Sequence, residues 1–558
     1  MNITPEIIKR EVADHDNRWD AVSSEMRELR DVYETRYWRG RSRLSGALVI
    51  ELSLGYEFIE SYIASLYARE PAVIVSPDVR VRGDAEIAGL AANYWMAKVR
   101  QTVEDATRLA LIFPYAAVKL YPTDNRDVLR RVGISTIEPW DVVLDRDADS
   151  WETQRFIGHR YWVPLSDAKK TWGNKKYDAR AKRQYLTTEA DSDAKSTVDD
   201  YGRYVQVVEV YDMVGDRLYI WSPDYKNGDE WLYHGIKLVG YDENGDEITT
   251  VYKSIPIRTA DDEPRLPISP VYMNTLPYDP LAGYSALRRV YDQIRERIFA
   301  RTYQAAAVRK AARQWLVRKD SITGDNMEAL VEGIDGEFIE VEGNSKLDEI
   351  IFPVPHTPTP PEIERYSQEV QSDLDRGSIM APFTRGEATK ATASEVTALA
   401  AYTASEVGRM ARVRDAVIES VAAIYVDMLR IYLADEPQLV TINGSTVTLK
   451  SGDLDAAFVY YAQDGGSTPV DRTVRRQELQ NAVPMLQALG VPKETILSEL
   501  IRVNDWPESF LPSAPTPGAV LPEGAPAPGQ VEGALPAPAT GLEPGLLPSP
   551  ERIAQLVP

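Results

Sequence analysis

Hydrophobic residues in the first part of the chain recur at the spacing of amphipathic helices. Residues 5–70 predict two such helices, the second stopped by Pro71, and residues 84–112 predict a third that ends near Pro114. Between them the stretches PAVIVSP and VRVRG, bounded by proline and glycine, predict short strands. We therefore expect a helix-rich block at the start of the chain.

Residues 115–275 change to a pattern typical of β-structure. Runs such as YAAVKLYP, RFIGHRYWV and YVQVVEVYDMV combine β-branched and aromatic residues in short segments. The dipeptides Asn227-Gly228 and Asn244-Gly245 separate neighbouring runs and favour tight hairpin turns. The helix-rich block therefore carries a β-rich companion, and we predict the α+β class.

Helical periodicity returns after residue 280. A helix is predicted over 283–314, a compact mixed segment over 315–357, and a second helix over 361–379 that follows the proline-rich PHTPTPPE. The next helix, from Thr392 to Leu433, would be about 60 Å long at about 1.5 Å per residue. It is unusually long for a helix of a globular domain.

The long helix has two hydrophobic seams that repeat every seven residues. The first consists of Val396, Thr403, Met410, Val417, Ile424 and Ile431, with Ala400, Val407, Val421 and Met428 on the interleaved positions. The second consists of Ala411, Ile418, Tyr425 and Tyr432. Two adjacent seams predict a helix packed from two sides, by its own domain and by a neighbouring copy. The first seam is thus a candidate core or inter-subunit surface.

The end of the chain combines a hairpin, two helices and a tail. LVTINGSTVTL predicts a hairpin through Asn443-Gly444, and AAFVYYA predicts a further strand. Helices predicted over 470–489 and 493–504 favour a packed helical hairpin over a helix-turn-helix, because the second lacks a basic, amide-rich face. Beyond Pro507, proline, alanine, glycine and leucine dominate, and they predict a tail in polyproline or coil conformation.

Composition limits the classes of function. A chain of 558 residues predicts two to four domains or one elongated multi-part architecture. The net charge of −22 disfavours wrapping nucleic acid over the general surface, since phosphate affinity requires clustered cations. Cysteine is absent, and the charged N-terminus does not resemble a signal peptide. No run approaches the length of a membrane span, so we expect a soluble protein made in the cytoplasm.

Sequence motifs give no positive indication of catalysis. The chain has no Walker-type phosphate loop, no GxGxxG after a strand, no HExxH and no GxSxG, and its four histidines lie far apart. Asp145, Asp147 and Asp149 could bind a divalent cation but favour a solvated turn, and 242–247 reads as a hairpin turn. No pair among the 85 acidic residues stands out for glycosidic chemistry. We expect no enzyme activity, metal or cofactor.

The helix predicted over 283–314 has a positive net charge, opposite to that of the whole protein. Eight cations there stand against Asp292 and Glu296. The pattern fits a solvated helix face and fits equally a surface that meets an acidic partner. The candidate contact residues are Arg288, Arg295, Arg301, Arg309 and Lys310.

The stretch MAPFTRGEATKATASEV, residues 380–396, joins two predicted helices through small, charged and glycine-containing residues. A connection of this kind can act as an active-site lid, a hinge, or a finger that touches a passing molecule. Gly386 and the small residues around it would let the backbone shift.

Over residues 20–505 the sequence resembles the portal, or head-to-tail connector, proteins of tailed double-stranded DNA bacteriophages. The resemblance lies in four phrases in the family's order: SLYAREPAVIVSP, TRLALIFPYAAVKLYP, ISTIEPWDVVLDRDA and ATASEVTALAAYTASEVGRMARVRDAVI. It implies a wing (1–280), a first stem helix (281–312), a clip (313–357), a second stem helix (358–380), a tunnel loop (381–392), a long wing helix with a hairpin (393–465), a short helical crown (466–507) and a tail (508–558).

The family resemblance also implies a function. Portal proteins form a ring, expected to be dodecameric, at one vertex of the capsid, where DNA is packaged and ejected. The implied partners are the DNA, the major capsid protein, the terminase and later the adaptor or tail proteins, and the implied location is the virion. The tunnel-loop residues that would face DNA are Thr384, Arg385, Gly386, Glu387 and Lys390.

Two alternatives remain open from the residues alone. One is a cytosolic hydrolase whose acidic site residues are not identified, which predicts a small oligomer with a deep pocket. The other is an oligomeric scaffold of long helices without a channel, which predicts assembly without an axial hole.

Overall fold

The chain divides into two compact units, Met1–Ser467 and Thr468–Pro558. The structure is a computed structural model. It describes residues 3–38, 49–68, 71–77, 84–125, 127–173, 175–180, 203–226, 230–241, 247–259, 262–277, 279, 281, 283–310, 315–317, 351–353, 361–377, 393–433, 438–442, 445–463 and 483. The predicted strand VRVRG, the tunnel loop, the two crown helices and the tail thus lie outside the described residues, apart from position 483.

The described part of the chain contains both helices and strands, which confirms the α+β class. Its helices are α1 (Pro5–Tyr33), α2 (Leu54–Leu66), α3 (Ala85–Ile112), α4 (Leu165–Trp172), α5 (Tyr291–Lys310), α6 (Pro361–Gly377) and α7 (Ala393–Tyr432). Short 3-10 turns include Pro139–Asp141 and Leu287–Arg289.

The strands form several small antiparallel sheets. Strands β4 (Val142–Leu144), β5 (Phe156–Pro164), β6 (Tyr204–Asp212), β7 (Arg217–Trp221) and β8 (Tyr233–His234) make a five-stranded sheet in that order. The strands β2 (Ala116–Pro122), β3 (Val132–Ile137) and β11 (Ile268–Val271) make a three-stranded sheet with β2 in the centre. Strands β9 (Ile236–Tyr241) and β10 (Glu247–Tyr252) form a hairpin, as their sequence predicts.

Three further strand pairs follow the same antiparallel rule. They are β12 (Trp315–Val317) with β13 (Ile351–Pro353), β14 (Gln438–Ile442) with β15 (Ser445–Leu449), and β1 (Ala72–Pro77) with β16 (Phe458–Gln463). The last pair joins the N-terminal block to the end of the described chain, with Val73 opposite Ala462 and Val75 opposite Tyr460.

The largest core lies between α2, α3 and α7. Helix α3 begins at Asp84, whose side chain accepts hydrogen bonds from the backbone N–H groups of Glu86 and Ile87 at 3.0 and 3.1 Å. Its buried face is rich in alanine, which allows α7 to approach closely. At the contact Trp95 stacks on Tyr425, with ring centroids 4.3 Å apart. Helix α7 is thus a central element of the core.

Helix boundaries follow the sequence closely. The helix predicted from Thr392 to Leu433 extends from Ala393 to Tyr432, and the one predicted over 361–379 extends from Pro361 to Gly377. The helix predicted over 283–314 is shorter, because its first part is a turn through Gly283 and the 3-10 segment before α5. Gly283 has φ +62°, and a Cβ there would collide with the carbonyl oxygen of Pro114.

Candidate functional site

Helices α5 and α6 pack against each other along their length. Arg297 on α5 donates a hydrogen bond of 2.7 Å to the carbonyl oxygen of Ser367 on α6 and contacts its hydroxyl. In the opposite direction the Tyr366 hydroxyl donates to Glu296 over 3.1 Å. Val370 completes the contact as a buried apolar residue of α6. The two helices therefore form one unit held by polar and apolar contacts.

Strands β12 and β13 lie between these helices in the chain. They pair antiparallel, so the chain that follows α5 through residues 315–317 returns beside itself at 351–353 before α6 begins. The segment between the two strands, residues 318–350, therefore begins and ends at neighbouring positions of one strand pair. Its own structure lies outside the described residues.

Helix α5 is anchored to the N-terminal block on another side. The Tyr291 hydroxyl donates to Glu28 of α1 over 2.6 Å. Further along, Phe299 contacts the ring of Trp38 at 5.0 Å between centroids, and the hydroxyl of Thr302 accepts from the backbone N–H of Ile50 at 3.2 Å. These contacts position the α5–α6 unit against the larger core.

Most described arginines of the predicted basic helix, 283–314, have partners within the chain. Arg288 pairs with Glu25 at 2.9 Å and with Asp292 at 3.2 Å. Arg295 lies 3.7 Å from Asp292 and 3.4 Å from Glu296. These side chains remain partly exposed, but nearby carboxylates offset their charge. The basic helix is therefore less available to an external acidic partner than its sequence suggests.

The remaining predicted cations of this helix differ in what the structure describes. Arg301 is exposed and forms no ion pair with any described residue. Arg309 and Lys310 belong to the last turn of α5, and their side chains lie outside the described ones. The structure thus describes the side chains of only part of the predicted basic set.

The predicted tunnel-loop residues, Thr384, Arg385, Gly386, Glu387 and Lys390, lie outside the described residues. Their flanks are described: α6 ends at Gly377 and α7 begins at Ala393. Residues 378–392 therefore connect α6 directly to α7, the longest helix in the described part of the chain.

The first seam of α7 is buried by the chain itself over the part whose side chains are described. Met410, Val417 and Ile424 are at most 4% exposed, and Ile431 is half-buried. The side chain of Val396 lies outside the described ones. Residues of the second seam, Ala411, Ile418, Tyr425 and Tyr432, are buried in the same core. Over these residues α7 does not need a neighbouring copy to cover its seams.

Two arginines that the sequence analysis did not single out tie α7 to distant segments. Arg414, buried among apolar residues, donates to the carbonyl oxygen of Leu66 at the end of α2. Arg409 donates to the carbonyl oxygen of Met273 at 3.3 Å and to Asn274 Oδ1 at 2.8 Å. A cation within an apolar seam was the available signal for Arg414. Its acceptor, 348 residues away, could not be read from the sequence.

A buried polar cluster links the three-stranded and five-stranded sheets. The Lys119 ammonium on β2 contacts Glu209 at 2.8 Å and His159 Nδ1 at 3.0 Å. The Tyr211 hydroxyl donates to the other oxygen of Glu209. Burial, together with the Lys119 charge, holds the pKa of His159 well below its usual range. Each side chain of the cluster is hydrogen-bonded or ion-paired to another member. The cluster therefore connects the two sheets and offers no free acid or base.

The prediction of a solvated turn at the DRDAD segment is wrong for its first carboxylate. Asp145 is 1% exposed, accepts a bond from the Arg155 Nη2 group at 2.7 Å, and shares that arginine with Asp147. The pairing with Arg155 explains how a carboxylate is accommodated there. Within the described residues, no group of three or more acidic or histidine side chains could hold a metal ion.

A cleft of about 820 Å³ lies between α1 and the loops that precede α5. Among its lining residues, His15 uses Nε2 to donate to the carbonyl oxygen of Trp140 at 2.8 Å. Burial lowers the pKa of His15 to about 3. Asp145, also in the lining, is paired with Arg155. Both groups are thus engaged within the protein and give no indication of acid–base catalysis.

Comparisons with known proteins give a structural likeness but no match by family or by curated sequence. No family model matches the chain, and no curated protein matches it. Among solved structures, it is similar to one titled "Neck of empty GTA particle computed with C6 symmetry", with 11% sequence identity over 83% of this chain and 94% of that chain. The TM-score is 0.37. We therefore base the proposed function on this chain's own elements and on the resemblance of its sequence.

None of the helices in the described part of the chain is both long and apolar enough to cross a membrane.

Proposed function

We propose that this protein is a phage portal protein, which forms a ring-shaped channel at one capsid vertex. Double-stranded DNA would enter the head through the ring during packaging and leave through it during ejection. The ring would bind the terminase first and the adaptor or tail proteins afterwards. We propose a structural role without a cofactor, and a dodecamer as the family expectation.

The observation that carries the proposal is the order of elements around α5. Along the chain, the packed helices α5 and α6 flank a segment whose two ends pair as strands β12 and β13. Helix α7, of 40 residues, follows α6 after a short connection. This order supports two stem helices with a clip between them, followed by a tunnel loop and a long wing helix. Helix, strand pair, helix and long helix occur in the order that the sequence resemblance requires.

The composition of the tunnel loop suits transient contact with a moving duplex. Arg385 and Lys390 are sparse cations, and Glu387 offsets one of them. A few cations attract phosphate without the tight, salt-dependent binding of a basic cluster. Elsewhere the net charge of −22 would limit adhesion of DNA to the ring.

The long helix behind the loop is suited to hold it. Arg414 and Arg409 fix α7 to the end of α2 and to the segment after β11. A loop whose following helix is held in the core can move at its tip without displacing the body of the protein. We propose that α7 supports the loop in this way.

Deletion of residues 381–392 tests the proposed role of the loop. We expect the shortened chain to assemble into rings as the parent does, because the deletion leaves every residue of the described core in place. Packaging of DNA, or its retention in the head, should fall. The measurement is ring yield by light scattering together with DNA content per particle.

A twelve-residue glycine–serine replacement of the same segment is the matched control for chain length. It should assemble normally and separate the effect of the loop side chains from that of the connection itself. Particles with the deletion that hold and keep a normal amount of DNA would contradict the assigned role.

A further inference from the structure

A cationic surface lies over one face of the five-stranded sheet, in a chain whose net charge is −22. Helix α4, the extended segment 175–180 and the adjoining residues 203–206 and 224–226 together carry seven cations against three carboxylates. The cations are Lys169, Lys170, Lys175, Lys176, Arg180, Arg203 and Lys226. Because these residues come from four segments of the chain, their excess of positive charge is gathered only by folding.

Helix α4 and the segment 175–180 cover one apolar cluster. Leu165, Ala168 and Trp172 of α4 are buried in it. Tyr177 and Ala179 of the extended segment pack against the same cluster. The two elements thus share one apolar layer, and their polar side chains face away from it.

Three lysines point away from this layer. Lys169 and Lys170 are exposed on α4, and Lys176 is exposed between two half-buried neighbours of the extended segment. None of the three forms an ion pair with a described residue. The helix dipole favours lysines in the last turn of α4, but it does not account for Lys176.

Two further cations come from segments in direct contact with these lysines. The backbone N–H of Leu165 donates to the carbonyl oxygen of Arg203 at 3.0 Å, and that of Lys226 donates to the carbonyl oxygen of Lys176 at 3.2 Å. Arg203 is exposed and has no ion-pair partner among the described residues. Lys226 lies 3.4 Å from Asp178, but both side chains are exposed, so this pair offsets its charge only weakly.

The aromatic rings of this region support the surface from beneath. The Arg180 guanidinium lies 5.2 Å from the ring centroid of Trp162, and Lys175 Nζ lies 5.2 Å from that of Tyr225. Arg180 also pairs with Asp224 at 3.3 Å. No large apolar side chain is exposed among the described residues of these segments. The surface therefore presents cations without an exposed apolar anchor.

We propose that this cationic surface, defined by Lys169, Lys170, Lys176 and Arg203, binds the phosphate backbone of double-stranded DNA. The inference rests on the proposed function, which brings the protein and the duplex together, and it adds a DNA contact separate from the tunnel loop. Phosphate binding requires several clustered cations, because each contact contributes through the release of counterions. The surface supplies four cations without a carboxylate partner among the described residues.

A duplex backbone fits this surface better than a single strand or a protein does. Proteins bind single strands by stacking bases on exposed aromatic rings, whereas Trp162, Tyr177 and Tyr225 are half-buried. Protein interfaces centre on apolar or aromatic anchors, which the described residues of this surface do not expose. Contacts to phosphate need neither feature and carry no base sequence information. Binding should therefore be independent of DNA sequence.

Binding of relaxed, covalently closed circular DNA to the full-length protein tests the proposal, because a circle has no end that could enter a preformed channel. The variant combines Lys169→Gln, Lys170→Gln and Lys176→Gln. We expect its affinity for the circle to fall roughly tenfold at low salt, and the slope of log affinity against log salt to decrease by about 2 to 3. Mobility shifts at several salt concentrations measure both, and urea midpoints verify the fold.

A second triple variant is the matched control for net charge. It combines Lys9→Gln, Lys98→Gln and Lys450→Gln, which remove three exposed lysines on other elements. Its affinity for the circle should stay within about twofold of the parent, because local clustering and not total charge determines phosphate binding. Equal losses in the two triple variants would overturn the proposal.

Photo-cross-linking locates the contact independently, since the chain has no native cysteine. Ser166→Cys places a thiol on the exposed side of α4, one turn before Lys169 and Lys170. Ala416→Cys is the control at an exposed position of α7. With a benzophenone maleimide on each full-length chain, we expect at least about tenfold more circular DNA cross-linked from position 166. Equal cross-linking from both positions would overturn the proposed surface.

The outcomes separate this surface from the proposed function. Unchanged binding of the circle after loss of the three lysines would overturn the DNA surface alone. Impaired assembly with unchanged DNA binding would also overturn it, because the lysines would then serve an acidic protein partner. A parent chain that forms no rings would overturn the proposed function, whereas lysine-dependent binding of circles by that chain would still support the surface.

Discussion

Burial changes the pKa of two side chains in opposite directions. His15 on α1 is 7% exposed and stays neutral because burial lowers its pKa to about 3. Asp427 on α7 lies 2.7 Å from Arg265, yet burial raises its pKa to about 6. For Asp427 desolvation outweighs the attraction of the arginine. The two residues therefore make stability depend on pH with opposite sign.

Replacement of His15 by glutamine should weaken the loss of stability on acidification. In the unfolded chain His15 binds a proton below pH 6.5, whereas in the folded chain it does so only near pH 3. Parent stability relative to His15→Gln should therefore fall by roughly 1 kcal/mol from pH 7.5 to pH 5.5. Urea unfolding at both pH values measures this difference, and a pH-independent difference would contradict the buried neutral imidazole.

Replacement of Asp427 by asparagine should have the opposite pH dependence. The folded carboxyl group holds its proton up to about pH 6, whereas the unfolded one loses it near 3.8. The stability it contributes is present at low pH and is lost as the pH rises through 6. Parent stability relative to Asp427→Asn should decrease by about 1 kcal/mol between pH 5.5 and pH 7.5. A difference that grows with pH would show that the Arg265 pair dominates.

Single residues were the hardest to predict. The sequence marks Asp145 as one of three close acidic residues, but its burial depends on Arg155, ten positions away and directly before β5. Lys119, Glu209 and His159 come from three different strands. Such partners are set by tertiary packing between segments, and local composition carries no information about them.

At the scale of elements, α7 is the helix whose packing the sequence pattern explains most fully. Its two seams pack into one core against α2, α3 and strand β16, and it contacts Trp95 through Tyr425. Over Val407–Leu433 the seam residues are buried within the chain except the half-buried Ile431, which favours the core role of the seams over this range. The interface between copies should therefore involve other surfaces.

A charge in the first seam of α7 should destabilise the protein. Val417 is 4% exposed, so Val417→Asp would bury a carboxylate without a partner and cost roughly 3 kcal/mol or more. The exposed neighbour Ala416 provides the matched control, and Ala416→Asp should change stability by less than about 1 kcal/mol. Urea midpoints measure both, and equal stability of the two variants would remove the packing account of α7.

Element boundaries were predictable because proline, glycine and capping residues punctuate them. Pro361 begins α6, Asp84 caps α3, and Asn443-Gly444 separates two strands that pair as expected. The pairing of β1 with β16 was not predictable, since nearly 400 residues separate the strands and each has only a short apolar run. Local sequence signals predict where helices and strands begin. Which distant strands pair can be known only from the folded chain.

At the scale of the whole molecule, the proposal depends on assembly. A single chain offers two packed helices of opposite net charge, α5 and α6, a connection of fifteen residues, 378–392, and the long anchored helix α7. These parts form a channel only when several copies close around an axis. The wing, stem, clip and crown assignments remain predictions until such an assembly is seen.

Imaging of the purified, assembled protein by electron microscopy tests the central claim most directly. We predict a closed annulus with an axial bore wide enough for duplex DNA, with the segment around Gly386 at its narrowest part. A protein that stays monomeric, an assembly without an axial hole, or a ring with that segment on its outer rim would contradict the account.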